Sequence, residues 1–117
     1  MKLNSRIHGA IDYGVVLFLL LSPTLFKLPE TTAMVTYALG VIHLLLTITT
    51  NFEMGLLKII PFSIHGMIEL VVSISLIGLA FYLGSIEGDL ARNFYLAFGA
   101  AVFLTWVLTD YKNTALK

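Results

Sequence analysis

The sequence predicts an all-α membrane protein: four transmembrane helices arranged as two helical-hairpin repeats of parallel orientation. Three observations carry that expectation. The 117 residues are 58% hydrophobic and only 12% charged, with a mean hydropathy of +0.93. Four apolar segments approach the length that a bilayer requires. A His-Gly-x-Ile-acid pattern occurs twice, as IHGAIDY and IHGMIEL. An ordinary soluble domain carries about 25% charged residues, and half that number cannot cover a water-soluble globule.

A hydrocarbon core of about 30 Å takes about 20 apolar residues in a helix. The first segment runs from Ile7 to Phe26. Lys2 and Arg6 ahead of VVLFLLL imitate a signal peptide, but Asp12 interrupts the approach and no A-x-A-like site follows, so it reads as a retained span. Pro23 and Pro29 in LSPTLFKLPETT are expected to end this helix and set a turn. The second span is Ala33 to Thr50, closed by NFEMGLLK with Glu53, Gly55 and Lys58. The third is Ile59 to Leu83, closed by GSIEGDLAR, and the fourth is Ala91 to Thr109. Links this short make neighbouring helices antiparallel hairpins within one domain, 1–117.

The positive-inside bias gives an orientation. The N-terminus, middle loop and C-terminus hold Lys2, Arg6, Lys58, Lys112 and Lys117; the other two loops hold Lys27 and Arg92. Both termini are therefore expected in the cytoplasm. Net charge is zero, which gives no electrostatic footprint for nucleic acid. The chain has no cysteine, which excludes disulfides and thiolate chemistry. Membrane lipids are the expected surroundings, and a homo-oligomer stays open.

A shift of 57 residues lays His8 on His65, Gly9 on Gly66 and Asp12 on Glu69. A shift of 59 lays Thr50-Asn51-Phe52 on Thr109-Asp110-Tyr111. The unit is one hairpin used twice, about 1–57 and 58–117. Because the first and third spans run the same way, the expected symmetry is a pseudo-two-fold along the membrane normal. The run NFEMGLLKIIPFSIHGMIE, with HGAIDY upstream and Leu21-Ser22-Pro23, resembles the SPW-repeat membrane proteins. The naming motif is partial here, since Thr24 follows Ser22-Pro23 and Leu79-Ala80-Phe81 stands in the second half. The resemblance covers nearly the whole chain. It implies repeated pairs of transmembrane helices in a bacterial inner membrane, and no activity.

Small and hydroxylic residues mark expected packing faces, because close backbone approach drives helix association in lipid. They are Thr36, Gly40, His43, Thr47 and Thr50 on the second helix, and Gly66, Glu69, Ser73 and Ala80 on the third. Ala97, Ala101 and Thr105 mark the fourth, and Ala10 and Gly14 the first. Tyr13, Tyr37, Tyr82, Tyr95, Trp106 and Tyr111 read mostly as interfacial anchors.

The ionisable residues bear on function. His8, Asp12, His65 and Glu69 all fall in the first turns of spans that start on one side, and His43 comes to similar depth from the other. An acid at a membrane helix centre costs about 2.5–3.5 kcal/mol, so these acids are expected to face protein partners. Three readings follow. Each His-x-x-x-acid pair is an i,i+4 contact that only holds structure. Alternatively, His8, Asp12, His65 and Glu69 form a Zn, Fe or Mn site, with His43 as neighbour and either His43 or Glu53 to complete its shell. A proton path is the third, weakened by apolar outer halves such as VVLFLLL and LIGLAFYL. Haem on His43 is less favoured, since no attachment motif accompanies it. No G-x-S-x-G elbow or phosphate loop is present, and Ser63 points away from His65 on a helix. A non-enzymatic membrane role is therefore favoured over catalysis.

Overall fold

The computed structural model describes residues 3–111; Lys2, Lys112 and Lys117 of the charge argument lie outside them. Helices α1 (Ser5–Leu25), α2 (Glu30–Thr49), α3 (Phe62–Glu87) and α4 (Asp89–Leu108) carry the fold. Each has 20 residues or more, hence about 30 Å or more of length. All four are long and apolar enough to cross a membrane. Large apolar side chains stand bare at mid-helix, among them Leu17, Val71 and Ile74. Water would not tolerate that surface; hydrocarbon would.

The helices pack as two hairpins, α1 on α2 and α3 on α4, with α2 touching α3 more lightly. At one end of the bundle the backbone is stitched together. Strands β1 (Thr50–Asn51) and β2 (Ile60–Pro61) pair in parallel, Thr50 opposite Ile60. A second parallel bridge joins Leu3 to Thr109. The residue two positions ahead of each odd-numbered helix thus lies beside the residue just past the end of an even-numbered one. Asn4 caps α1, its side chain accepting from the Ile7 N–H at 2.9 Å.

The opposite end is built differently. The turn between α3 and α4 is Gly88 alone, with φ +99°, a backbone region that any Cβ would strain. The sequence expectation of a longer GSIEGDLAR loop fails because Glu87 has a use inside the fold. Its carboxylate accepts from the N–H groups of Thr31 and Thr32, at 2.8 and 2.6 Å, and from the Thr32 hydroxyl at 2.6 Å. That satisfies orphan donors at the start of α2, and α3 must run on to deliver it. Pro23 likewise sits inside α1 instead of ending it. The helix closes two residues later, the Phe26 N–H donating to the Ser22 carbonyl at 2.9 Å.

Packing faces match the sequence on α2 and α3, where Thr36, Gly40, Thr47, Gly66, Glu69, Ser73 and Ala80 are buried. They do not on the other two helices. Ala10 and Gly14 of α1 are exposed, since His8 and Asp12 turn the opposite face inward with Val16 and Leu19. On α4 the buried line is Ala91, Tyr95 and Gly99, while Ala97 and Ala101 are exposed. Tyr95 is no anchor: it is fully buried, with its hydroxyl 2.6 Å from the Thr36 hydroxyl.

Candidate metal centre

Helix α1 supplies His8 and Asp12, and α3 supplies His65 and Glu69. The i,i+4 spacing puts each pair on one face, and hairpin packing turns the two faces toward each other. All four residues are buried, both histidines completely. One ligand atom from each lies within 4.8 Å of all the others. Glu69 Oε1 is 3.1 Å from His8 Nε2 and 2.9 Å from His65 Nε2, both with hydrogen-bond alignment. Asp12 Oδ2 is 3.2 and 3.1 Å from the same two nitrogens. Neither of those contacts is aligned, and Asp12 Oδ2 makes no hydrogen bond.

The far side of each imidazole fixes its protons. His8 Nδ1 is 2.8 Å from the Thr109 hydroxyl, whose own proton goes to the Thr105 carbonyl at 2.6 Å. His65 Nδ1 is 2.7 Å from the Thr50 hydroxyl, whose proton goes to the Leu46 carbonyl at 2.6 Å. A hydroxyl has one proton, so each threonine can only accept from its histidine. Both Nδ1 atoms therefore carry hydrogen. In neutral imidazole that leaves the Nε2 lone pair aimed at two carboxylates, an arrangement of acceptors facing acceptors. Something electropositive must sit between them, either protons, on the imidazoles or on the carboxyls, or a metal ion. Nδ1–H groups held by a second layer are what metal-bound histidines ordinarily show.

Tyr111 completes the carboxylate shell, its hydroxyl donating to Glu69 Oε2 at 2.8 Å. Burial, and then the Glu69 charge, push the Tyr111 phenol above its ordinary range, so it stays a donor. The Tyr111 and Phe62 rings pack on His8, and Phe52 and Phe62 on His65, closing this end with aromatic surface. Two glycines admit the rings. A Cβ on Gly9 would stand 2.7 Å from Phe52, and one on Gly66 2.7 Å from Tyr111. The Gly in each His-Gly pair is thereby accounted for.

His43, the fifth sequence candidate, stands apart from the four. Its Nε2 is 3.4 Å from Asp12 Oδ1 and makes no hydrogen bond. It faces a chamber of about 510 Å³ between the hairpins, to which all four helices contribute. Glu53 and Asp110 lie at the same end but outside the four-residue cluster; Glu53 accepts from Ser5 Oγ at 2.6 Å. Sequence reasoning placed Thr50 on a packing face and Tyr111 among the interfacial anchors, and gave neither them nor Thr109 a part in the site. The signal was the second block of the repeat, which pairs Thr50 with Thr109 and Phe52 with Tyr111.

Fold and site together define a class: a four-helix protein with membrane-spanning dimensions and a buried His/carboxylate centre compatible with a metal ion. The chain matches no family model, no curated protein and no solved structure.

Proposed function

We propose that this protein binds one divalent metal ion, Zn, Fe or Mn, through His8, Asp12, His65 and Glu69, and that the ion ties its two hairpins together. The observation that carries the proposal is the pair of threonines holding Nδ1–H, which leaves two nitrogen lone pairs and two carboxylates converging on one point. Two carboxylates and one divalent ion sum to zero charge, which suits a site with no water to screen it. In a tetrahedral shell of 2.0–2.1 Å bonds, ligand atoms stand about 3.3–3.5 Å apart. The nitrogen–oxygen distances of 2.9–3.2 Å need open by a few tenths of an ångström, while the nitrogen–nitrogen and oxygen–oxygen separations, which lie within 4.8 Å, must close around the ion. Four protein ligands close the shell, which favours a binding or structural role over catalysis.

Elemental analysis of detergent-purified protein tests this: one ion per chain, lost in His65→Ala. Metal-free protein that takes up no added Zn, Fe or Mn would overturn it. The rival reading is a proton-filled structural cluster. It is favoured by the alignment of both Nε2 atoms on Glu69 Oε1, as two imidazolium donors would be.

We also read the chain as a duplicated hairpin with a pseudo-two-fold along the membrane normal, of SPW-repeat kind. Helix boundaries and contacts support this. Ser5 and Phe62 open α1 and α3 at the 57-residue shift, while Glu30 and Asp89 open α2 and α4 at the 59-residue shift. Under the same shifts the His8–Thr109 contact becomes His65–Thr50, and the Leu3–Thr109 bridge becomes Ile60–Thr50. Gly40 against Leu19 and Leu20 becomes Gly99 against Leu76 and Ile77. The centre lies at the cytoplasmic end of a bacterial inner-membrane protein, on the charge bias of the loops. Cysteines at Leu56 and Asp89 test that: the first is expected to label with an impermeant reagent only from the cytoplasmic face, the second only from the other. The reverse pattern inverts the topology.

A further inference from the structure

One hydroxyl beside the metal centre is not explained by packing. Phe52 and Tyr111 match under the 59-residue shift, and each ring packs on the glycine of one His-Gly pair, Phe52 on Gly9 and Tyr111 on Gly66. A phenyl ring is enough at Gly9, so a phenyl ring would be enough at Gly66. The Tyr111 hydroxyl instead donates to Glu69 Oε2 at 2.8 Å. Its ring lies against Phe62 at 4.8 Å and His8 at 5.5 Å, which holds the donor in place. The carboxylate is thereby divided. Glu69 Oε1 stays with the two histidine Nε2 atoms, and Oε2 is turned to the phenol. Asp12 is divided in the same way, with Oδ2 at His8 and His65 and Oδ1 facing His43 Nε2 at 3.4 Å.

We propose that Tyr111 sets which metal the centre accepts: by holding Glu69 to one ligand oxygen it keeps the shell at four, which selects Zn²⁺ over ions that take more ligands. This rests on the metal reading above and narrows it. A carboxylate coordinates through one oxygen or through both. Two imidazoles and two chelating carboxylates would make a six-fold shell, the number that Mn²⁺ and other octahedral ions take. To give its second oxygen, Glu69 has to rotate out of the Tyr111 hydrogen bond. Water has little access to supply further ligands, since both histidines are fully buried and Asp12 and Glu69 are only 2% and 5% exposed. Four ligands of this kind suit Zn²⁺, which is four-coordinate in structural sites. They leave Ni²⁺ short of the square-planar or tetragonal surroundings it prefers.

Cobalt and nickel make the test, because nickel binds nitrogen and oxygen ligands more tightly than cobalt wherever each ion chooses its own geometry. Full-length protein in detergent, stripped of metal, is titrated with Co²⁺ and with Ni²⁺ against a chelator of known affinity. Co²⁺, standing in for Zn²⁺, is expected to bind about tenfold tighter than Ni²⁺, the scale set by one hydrogen bond to a charged group. It should also show the intense visible absorption of a four-coordinate ion. Tyr111→Phe keeps the ring on Gly66 and should restore the usual order, with the Co²⁺ absorption weakened as a further oxygen joins the shell. Uptake of neither Co²⁺, Ni²⁺ nor Zn²⁺ would overturn the metal reading itself, and this inference with it. If Ni²⁺ bound tighter than Co²⁺ in the unaltered protein, or Co²⁺ gave only the pale spectrum of a six-coordinate ion, the selection would fall and the metal reading would stand. A Tyr111→Phe protein with unchanged order and spectrum would take the role from Tyr111.

Discussion

The two ends of this bundle solve opposite problems. The end holding residues 3, 50, 60 and 109 buries histidines and acids, and surrounds them with two backbone bridges, three aromatic rings and two dedicated threonines. Among the described residues the other end buries no such cluster, and it closes with Gly88 and the Glu87 carboxylate on the start of α2. The difference teaches where the fold concentrates its specificity. Polar groups held out of water are costly unless every one is met, so the region that carries them is over-determined, while the apolar end needs only to be turned round.

The largest break in that contrast should come from Asp12, whose carboxylate oxygens approach three imidazoles. Asp12→Ala is expected to lower metal affinity by more than about 100-fold, since loss of an outer-layer partner alone costs about 10–100-fold. Competition with a chelator of known affinity measures it, and unchanged affinity would remove Asp12 from the shell. Thr109→Val and Thr50→Val should each cost about 10–100-fold in the same assay, by freeing the imidazole tautomer. Equal losses at the two sites sharpen the case for a two-fold arrangement; a large loss at one alone breaks it.

Packing gives the next effect. Gly66→Ala drives a methyl group into Tyr111 and should cost about 1–3 kcal/mol in thermal unfolding, the usual range for overpacking. Gly14→Ala meets nothing within 4 Å and should instead stabilise α1 by about 0.5–1 kcal/mol. Opposite signs at two helical glycines are the test. Smallest of all should be Glu87→Gln at the far end. It weakens charge-assisted bonds to Thr31 and Thr32, so the unfolding midpoint falls slightly while metal affinity is untouched. A change in metal affinity there would mean the two ends are coupled.

Much of this arrangement was legible in the sequence because apolar runs and their breaks follow directly from bilayer thickness. The four clustered residues were legible too, since buried acids in lipid demand partners and the i,i+4 spacing names them. The faces of α1 and α4 were not. Ala10, Gly14, Ala97 and Ala101 are small whether they pack against a helix or border a chamber, and size alone does not say which. The orienting threonines were hidden for a related reason. Thr50 and Thr109 end their helices some 15 and 101 residues from the histidines they hold, and only the fold brings them there. Glu87 misled because a charge beside two glycines reads as loop, when its actual partner is a helix start 55 residues away.

The back-bonded threonines have a consequence for timing. Each hydroxyl is forced to accept only while the last turn of α2 or α4 keeps its carbonyl in reach. Were that turn to fray, the threonine proton would be free to point at Nδ1, and an imidazole whose Nε2 was momentarily vacant could carry its hydrogen there instead. A nitrogen bearing hydrogen cannot hold a metal. For the proposed ion, helix continuity at Leu46–Thr50 and Thr105–Thr109 would then act as a latch, and the rate of ion exchange should follow the rate at which those turns open. Amide hydrogen exchange at Thr50 and Thr109, compared with metal release under chelator, reads the two rates side by side.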